Sequence, residues 1–144
     1  MRLIPVEHSP ASKPIPAHDA QWTARRNAVG LREMFAIAAS WRITQEQLGK
    51  LLGTAPRSLQ RWRTLAEASG ELELSADTLE RMSYLLGISK ALKILLPTPD
   101  NRLLWLRNPN ASAWLGGQAP LDRMLQGQVA DLFMVRRYLD AARG

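Results

Sequence analysis

One stretch limits the possible folds more than any other: Ile43 to Arg63, reading Ile-Thr-Gln-Glu-Gln-Leu-Gly-Lys-Leu-Leu-Gly-Thr-Ala-Pro-Arg-Ser-Leu-Gln-Arg-Trp-Arg. Thr44 with Gln47 three residues on forms a capping box, and Ile43 with Leu48 has the spacing of a hydrophobic staple, so a helix should start at Thr44. Leu48, Leu51 and Leu52 supply its apolar face, and Gly53 can take the left-handed conformation that ends it. A second helix should follow at once, with Thr54 able to cap it, Pro56 in its first turn, and Leu59 and Trp62 as apolar positions three apart. Two short helices joined by a glycine turn make a helix-turn-helix.

The spacing within this stretch is demanding. Gln45, a small residue at Gly49, a turn glycine at Gly53, then Leu59 and Trp62 form the frame that two crossed helices require. Gly49 is expected to be small because the second helix packs over it, with Leu59 and Trp62 filling the gap from the other side. On these residues the segment resembles the Xre, phage-repressor-like, helix-turn-helix family. Gly49 departs from the alanine usual there, at a cost of roughly 1 kcal/mol in helix propensity.

Charge sharpens the reading. From Gln21 to Thr64 there are eight basic residues (Arg25, Arg26, Arg32, Arg42, Lys50, Arg57, Arg61, Arg63) against two acidic ones (Glu33, Glu46). Charges cancel before that segment and cancel again after it, so the net +6 of the chain sits on and around the helix-turn-helix. A polyanion would be met there. The second helix of such a motif enters the major groove, which makes Arg57, Ser58, Gln60 and Arg61 the candidates for reading bases. Lys50 and Arg63 are expected as phosphate clamps, and Gln45 completes the expected DNA-binding set. One motif reads few base pairs, so a homodimer on double-stranded operator DNA is expected, its seam in the apolar middle or carboxyl-terminal helices, because the amino-terminal unit shows no obvious seam.

With 144 residues the chain suits one compact domain or two small ones sharing a core. The expected division is an extended arm over residues 1–20, a helix-turn-helix domain over 21–72, and a helical domain over 73–144, all-α throughout. The arm carries Pro5, Pro10, Pro14 and Pro16 and few large apolar groups. Its His8 and His18 are ten apart with no cysteine near, so no metal site is expected. No apolar run approaches the ~20 residues of a membrane span, Met1 to Pro5 is too short an apolar run for a signal peptide to be expected, and cysteine is absent, which fits a reducing cytoplasm.

Periodicity divides the remainder. Gln21 to Ser40 reads as a helix with Trp22, Val29, Phe35 and Ala36 among its apolar positions, locally weakened by Gly30, and with Trp22 or Trp41 packed inside. Ser75 should cap a helix whose stripe is Leu79, Met82, Leu85 and Leu86, interrupted at Gly87 before a run from Ser89 to Leu96. Asp100 to Arg107 should be helical and stop at Asn108-Pro109-Asn110. Gly116-Gly117 makes a bend, Pro120 begins a short helix closed by Gly127, and Gln128 to Ala142 forms the last helix. Gly116-Gly117 is no phosphate loop, lacking both a preceding strand and a following Gly-Lys-Ser/Thr.

The segments Leu104-Trp105-Leu106-Arg107-Asn108-Pro109-Asn110, Leu115-Gly116-Gly117-Gln118-Ala119-Pro120-Leu121-Asp122, and Val135 to Gly144 with Tyr138-Leu139-Asp140 resemble the toxin-binding domain of Xre/MbcA/ParS antitoxins. The resemblance implies an antitoxin whose partner is a RES-domain toxin that consumes NAD, held in a hetero-oligomer. It also implies that the carboxyl-terminal domain covers that toxin's site; Trp114, Tyr138, Asp140, Arg143 and Gly144 are the candidate contacts, with Arg143 and the carboxylate at Gly144 suited to a cleft shaped for a charged dinucleotide. No catalytic residue and no cofactor are expected, since there is no nucleophile with a base, no carboxylate pair and no nucleotide loop. The competing expectation is a stand-alone dimeric helix-turn-helix repressor whose back half only dimerises.

Overall fold

A computed structural model describes residues 17–144, so the expected extended arm lies almost wholly outside the described residues. Those described form seven α-helices: α1 (Ala17–Trp41), α2 (Gln45–Leu52), α3 (Pro56–Ser69), α4 (Ala76–Leu95), α5 (Pro99–Arg107), α6 (Pro120–Met124) and α7 (Val129–Arg143), with a 3-10 turn at Ala113–Leu115. The fold is all-α, helix-turn-helix first and carboxyl-terminal helices after it. No helix is long and apolar enough to cross a membrane among the described residues.

Helix α1 begins four residues before the expected start at Gln21. Its buried face is Ala28, Leu31, Met34, Ile37, Ala38 and Trp41, at the 3–4–3 spacing of one helical stripe. Of the two tryptophans expected as alternatives inside, Trp41 is the buried one; Trp22 and the apolar Val29 are 58% and 53% exposed. They lie seven apart on the outer face of α1, so among the described residues the amino-terminal unit leaves these two apolar side chains uncovered. Gly30 is a point of close approach, where a Cβ would meet Met82 Cε of α4 at 2.7 Å.

Helix α4 is the axis of the molecule. Ser75 caps it through a bond from the Thr78 N–H, and it runs unbroken through Gly87, contrary to the expected interruption. Propensity alone would weaken the helix there, but packing overrides it. Met82, Leu85, Ile88, Ala91 and Leu92 are buried, and α4 packs most extensively on α7 and next on α1. Gly87 leaves room for the Arg136 guanidinium of α7, which occupies the space a Cβ would take and donates to the Ser83 carbonyl. Leu79 is half-buried and Leu86 is exposed, so the stripe is rotated from the one expected.

One hydrophobic core spans both halves, from Ala28, Leu31 and Met34 through Leu48, Leu51, Leu52 and Leu59 to Leu106, Leu121, Met124, Leu132, Val135 and Leu139. Polar straps reinforce it. Arg102 donates to the Leu96 and Pro97 carbonyls and closes the end of α4 (2.8 and 2.7 Å). The buried carboxylate of Asp131, in the first turn of α7, pairs with Arg123 of α6 at 2.8 Å. Asn27 Nδ2 and the Ala24 carbonyl hold Leu72, pinning the loop before α4 to α1.

Candidate nucleic-acid and partner interfaces

The capping box of α2 forms as its residues require. The Gln47 N–H donates to Thr44 Oγ1 at 3.1 Å, and the Thr44 N–H donates to Gln47 Oε1 at 2.9 Å. Gly53 ends the helix with φ of 70°, its cap bonds running back to the Gly49 and Lys50 carbonyls. Helix α3 opens at Pro56 with Ala55 at the cap position and no side-chain cap, so Thr54 does not cap it as expected. Gly49 is required by the turn rather than by the second helix: a Cβ there would stand 2.5 Å from the Thr54 carbonyl oxygen, while Leu59 Cδ1 would be at an ordinary 3.7 Å.

Helix α3 buries Leu59 and Ala66 and half-buries Trp62. At 100° per residue Arg57, Arg61 and Thr64 fall on the opposite side, and all three are exposed. Gln60 Nε2 donates to Gln45 Oε1 at 2.6 Å, which ties the start of α2 to α3 and fixes the Gln60 amide. Ser58 is half-buried, and Lys50 is exposed in the last turn of α2. Arg57 forms no ion pair among the described residues, whereas Arg61 borders a shallow groove that also contains Glu71 and Glu73. Arg63 is engaged elsewhere, since its guanidinium lies 4.7 Å over the Phe35 ring of α1 and its Nε is 3.2 Å from Glu67 Oε1.

The second cluster forms where α5, the 3-10 turn and α7 converge. The Tyr138 ring stands between Trp105, nearly parallel at 6.2 Å, and Trp114, tilted at 5.4 Å. Among the described residues Trp114 Nε1 is buried without an acceptor, while Tyr138 and Met134, one turn before it on α7, are exposed and form an apolar rim. Asn110 organises the loop that delivers Trp114: its Oδ1 accepts from the Ser112 N–H and its own N–H donates to the Gln118 carbonyl. Gly116 and Gly117 then take φ of 58° and 82°, which only glycine adopts freely.

The five residues expected on this surface do not form one patch. Tyr138 and Asp140 are two apart on α7 and so point to opposite flanks. Trp114 and Tyr138 sit together, whereas Asp140 faces α4 and pairs with Arg136 at 3.0 Å and Arg143 at 3.9 Å. Gly144 closes α7 with its N–H on the Ala141 carbonyl. Trp105 was not singled out in the sequence, because its apolar neighbours Leu103, Leu104 and Leu106 make it read as core. On the Asp140 flank, Tyr84 donates to Glu80 Oε1 at 3.2 Å, and burial first, then the Glu80 carboxylate, raise its pKa above the ordinary tyrosine value. Among the described residues no cluster of three His, Cys, Asp or Glu could hold a metal.

Residues 23–87 match the antitoxin Xre-like helix-turn-helix domain, and residues 91–144 match the antitoxin Xre/MbcA/ParS C-terminal toxin-binding domain. The chain belongs to the Xre/MbcA/ParS antitoxin family. The two matched regions meet within α4, the helix that carries the shared core. The antitoxin is also similar to the uncharacterized protein y4oB of Sinorhizobium fredii (strain NBRC 101917 / NGR234), 39% identical over 134 residues that cover 92% of this chain and 98% of the relative. Both matched domain families are non-enzymatic, and a toxin is the partner their second domain binds.

Proposed function

We propose that this antitoxin neutralises a RES-type, NAD-consuming toxin by direct binding and represses its own operon in the cytoplasm by binding operator DNA. Residues 21–72 would serve the DNA and residues 73–144 the toxin. The reading rests most on one observation: a single core carries a cationic helix face and, apart from it, an aromatic surface with an exposed apolar rim.

On the DNA side Arg57 and Arg61 are the donors that would reach guanine edges, with Gln60 suited to adenine and held for it by Gln45. Ser58 and Lys50 would add polar and phosphate contacts. Arg63 is the weakest member of the set, given its hold on Phe35 and Glu67. A homodimer would present two such helices to two half-sites. On the toxin side Trp114 and Tyr138 would supply buried aromatic anchors of the kind that dominate interface energy. Arg143 and Gly144 would reach the toxin's cleft, with Asp140 orienting Arg143.

A stand-alone repressor would also bind DNA, but it gives no reason for the Trp105, Trp114 and Tyr138 rings to cluster on the surface with Tyr138 and Met134 left exposed. Co-purification with the product of the adjacent gene, together with rescue of cells expressing that product, tests the proposal. Failure of both leaves the repressor.

A further inference from the structure

A long groove runs between α1 and α4, built from two adjoining cavities of about 530 and 380 Å³ that share Leu86 and Lys90. Its apolar floor includes Gly30, Met82, Leu86, Ile37 and Ile94, and Leu86 and Ile94 remain 38% and 52% exposed. Its polar lining is one-sided. Arg26, Lys90, Lys93 and Arg136 border it, and Glu33 is the one carboxylate among the lining residues. Among the described residues Arg26, Lys90 and Lys93 form no ion pair.

The groove faces away from the DNA-reading helix. Phe35 of α1 lies under Arg63 of α3, and Ile37, two residues on, is turned by 200° to the opposite flank where it lines the groove. From Thr23 to Ser40 the α1 wall is about 25 Å long, which matches a helix of about 16 residues.

We infer that this groove docks an acidic amphipathic helix of a partner protein, its apolar stripe on Leu86, Ile37 and Ile94 and its carboxylates on Lys90, Lys93 and Arg26. Helix-in-groove recognition needs an apolar trough for anchors at i, i+3 or i+4 and i+7, and the lysines supply register and orientation. Nucleic acid fits the cations but would set phosphates against Leu86 and Ile94. A second copy fits the apolar floor, but a two-fold contact centred on this groove would gather two sets of Arg26, Lys90 and Lys93 with only one Glu33 from each copy to offset them. The inference is independent of the toxin's identity and goes beyond the aromatic surface already described.

The test uses the full-length antitoxin and two labelled peptides of about 16 residues, identical in their leucine stripe, one with glutamates and the other with lysines on the remaining faces. Fluorescence anisotropy should show the acidic peptide binding at least about tenfold tighter, with the preference weakening as salt rises. The paired charge reversal Lys90→Glu and Lys93→Glu should erase that preference, and Leu86→Asp should weaken the acidic peptide, while Arg137→Glu on exposed α7 leaves it unchanged. The milder pair Lys90→Ala and Lys93→Ala, with melting curves, separates this from misfolding. Equal binding of the two peptides overturns the inference. So does a lysine pair that abolishes DNA binding, which would mark a phosphate track, or one that changes the sedimenting mass, which would mark a contact between copies.

Discussion

Arg107 Nη2 of α5 donates to the carbonyl of Trp41 at 2.6 Å and to that of Arg42 at 2.8 Å. This one guanidinium satisfies two carbonyls at the end of α1, where Arg42 turns the chain toward α2 with φ of 55°, a left-handed conformation that a side chain disfavours. Arg81 does the same at the far side of the motif, donating to the Gly127 and Leu51 carbonyls at 3.0 and 3.4 Å. Helix α2 is therefore held at both of its ends by arginines from α4 and α5, and Arg81 also joins it to the Gly127 carbonyl just before α7.

Arg107→Ala should lower stability by about 1–3 kcal/mol, because charge-assisted bonds to carbonyls are worth more than neutral ones. Lysine at 107 should restore only part of this, offering one point of charge in place of a planar fork. Arg42→Gly acts in the other direction: it removes the left-handed penalty of about 1 kcal/mol and should leave stability level or higher. Thermal unfolding followed by circular dichroism distinguishes these; a fall on Arg42→Gly would show that the Arg42 side chain contributes contacts that outweigh its backbone strain.

Two glycines inside helices should respond unequally to alanine. At Gly49 the gain in propensity, about 1 kcal/mol, is set against a Cβ 2.5 Å from the backbone oxygen of Thr54, which cannot move without opening the turn. A net loss is expected. At Gly87 the same gain is set against the tip of Arg136, a flexible side chain that can swing into solvent at the loss of its Ser83 bond. Gly87→Ala should lie within about 1 kcal/mol of the parent. Melting midpoints in the reverse order would refute the steric assignment.

Much of the architecture is legible in the sequence because caps and breakers act locally. Thr44 with Gln47, Gly53, Ser75 and Pro120 mark boundaries that the structure keeps to within a residue or so, whereas α6 ends at Met124, short of the Gly127 expected to close it. What local reading misses is which face of a helix meets the core. Trp22 and Val29 recur at a helical period but occupy the outer face, and Trp41, at the end of the same helix, is the buried tryptophan. Gly87 reads as a break because propensity is local, whereas the Arg136 that fills its space comes from 49 positions later in the chain. The candidate DNA residues are adjacent in sequence and remain adjacent in space. Trp105 and Arg107 acquire their surroundings only when α5 folds back on α7 and on the end of α1.

The arginines proposed to face DNA should rank by their freedom. Arg57→Ala should cost most in operator affinity, about 1–3 kcal/mol if it contacts a guanine, and it should relax specificity at one base pair. Arg61→Ala should cost less, since Glu71 and Glu73 border the same groove. Arg63→Ala should spare the operator and act on stability, through the lost packing on Phe35 and its pair with Glu67. Affinity measured across salt concentrations separates phosphate from base contacts; a flat salt response in the parent protein would remove nucleic acid from the reading altogether.

The Trp114 indole carries a prediction that folding and binding should diverge. A buried donor without an acceptor costs on the order of 1–3 kcal/mol, so Trp114→Phe, which deletes the N–H and keeps an aromatic ring beside Tyr138, should be no less stable than the parent. Trp114→Ala should lose about 3–5 kcal/mol as a cavity opens in the cluster. If toxin binding turns the indole so that its N–H meets an acceptor on the toxin, Trp114→Phe will also weaken the toxin complex while leaving operator binding intact. Undiminished toxin binding by that variant would assign the ring a packing role only.

Arg143 and Gly144 give the cleanest separation of the two interfaces, because little of the fold depends on them. Arg143 meets Asp140 at a loose 3.9 Å while partly exposed, and Asp140 keeps its closer partner Arg136 when Arg143 is gone. Surface pairs of this kind contribute at most about 1 kcal/mol, so a protein lacking residues 143–144 should melt within a few degrees of the parent. Operator affinity should be unchanged, since the deletion lies outside α2 and α3. Neutralisation, read as growth of cells that express the cognate toxin, should drop sharply. If Arg143 provides the contact, Arg143→Ala should reproduce most of the loss and Arg143→Lys should recover some of it. Full protection by the shortened protein would remove both residues from the toxin's cleft and shift the inhibitory contact to Trp114 and Tyr138.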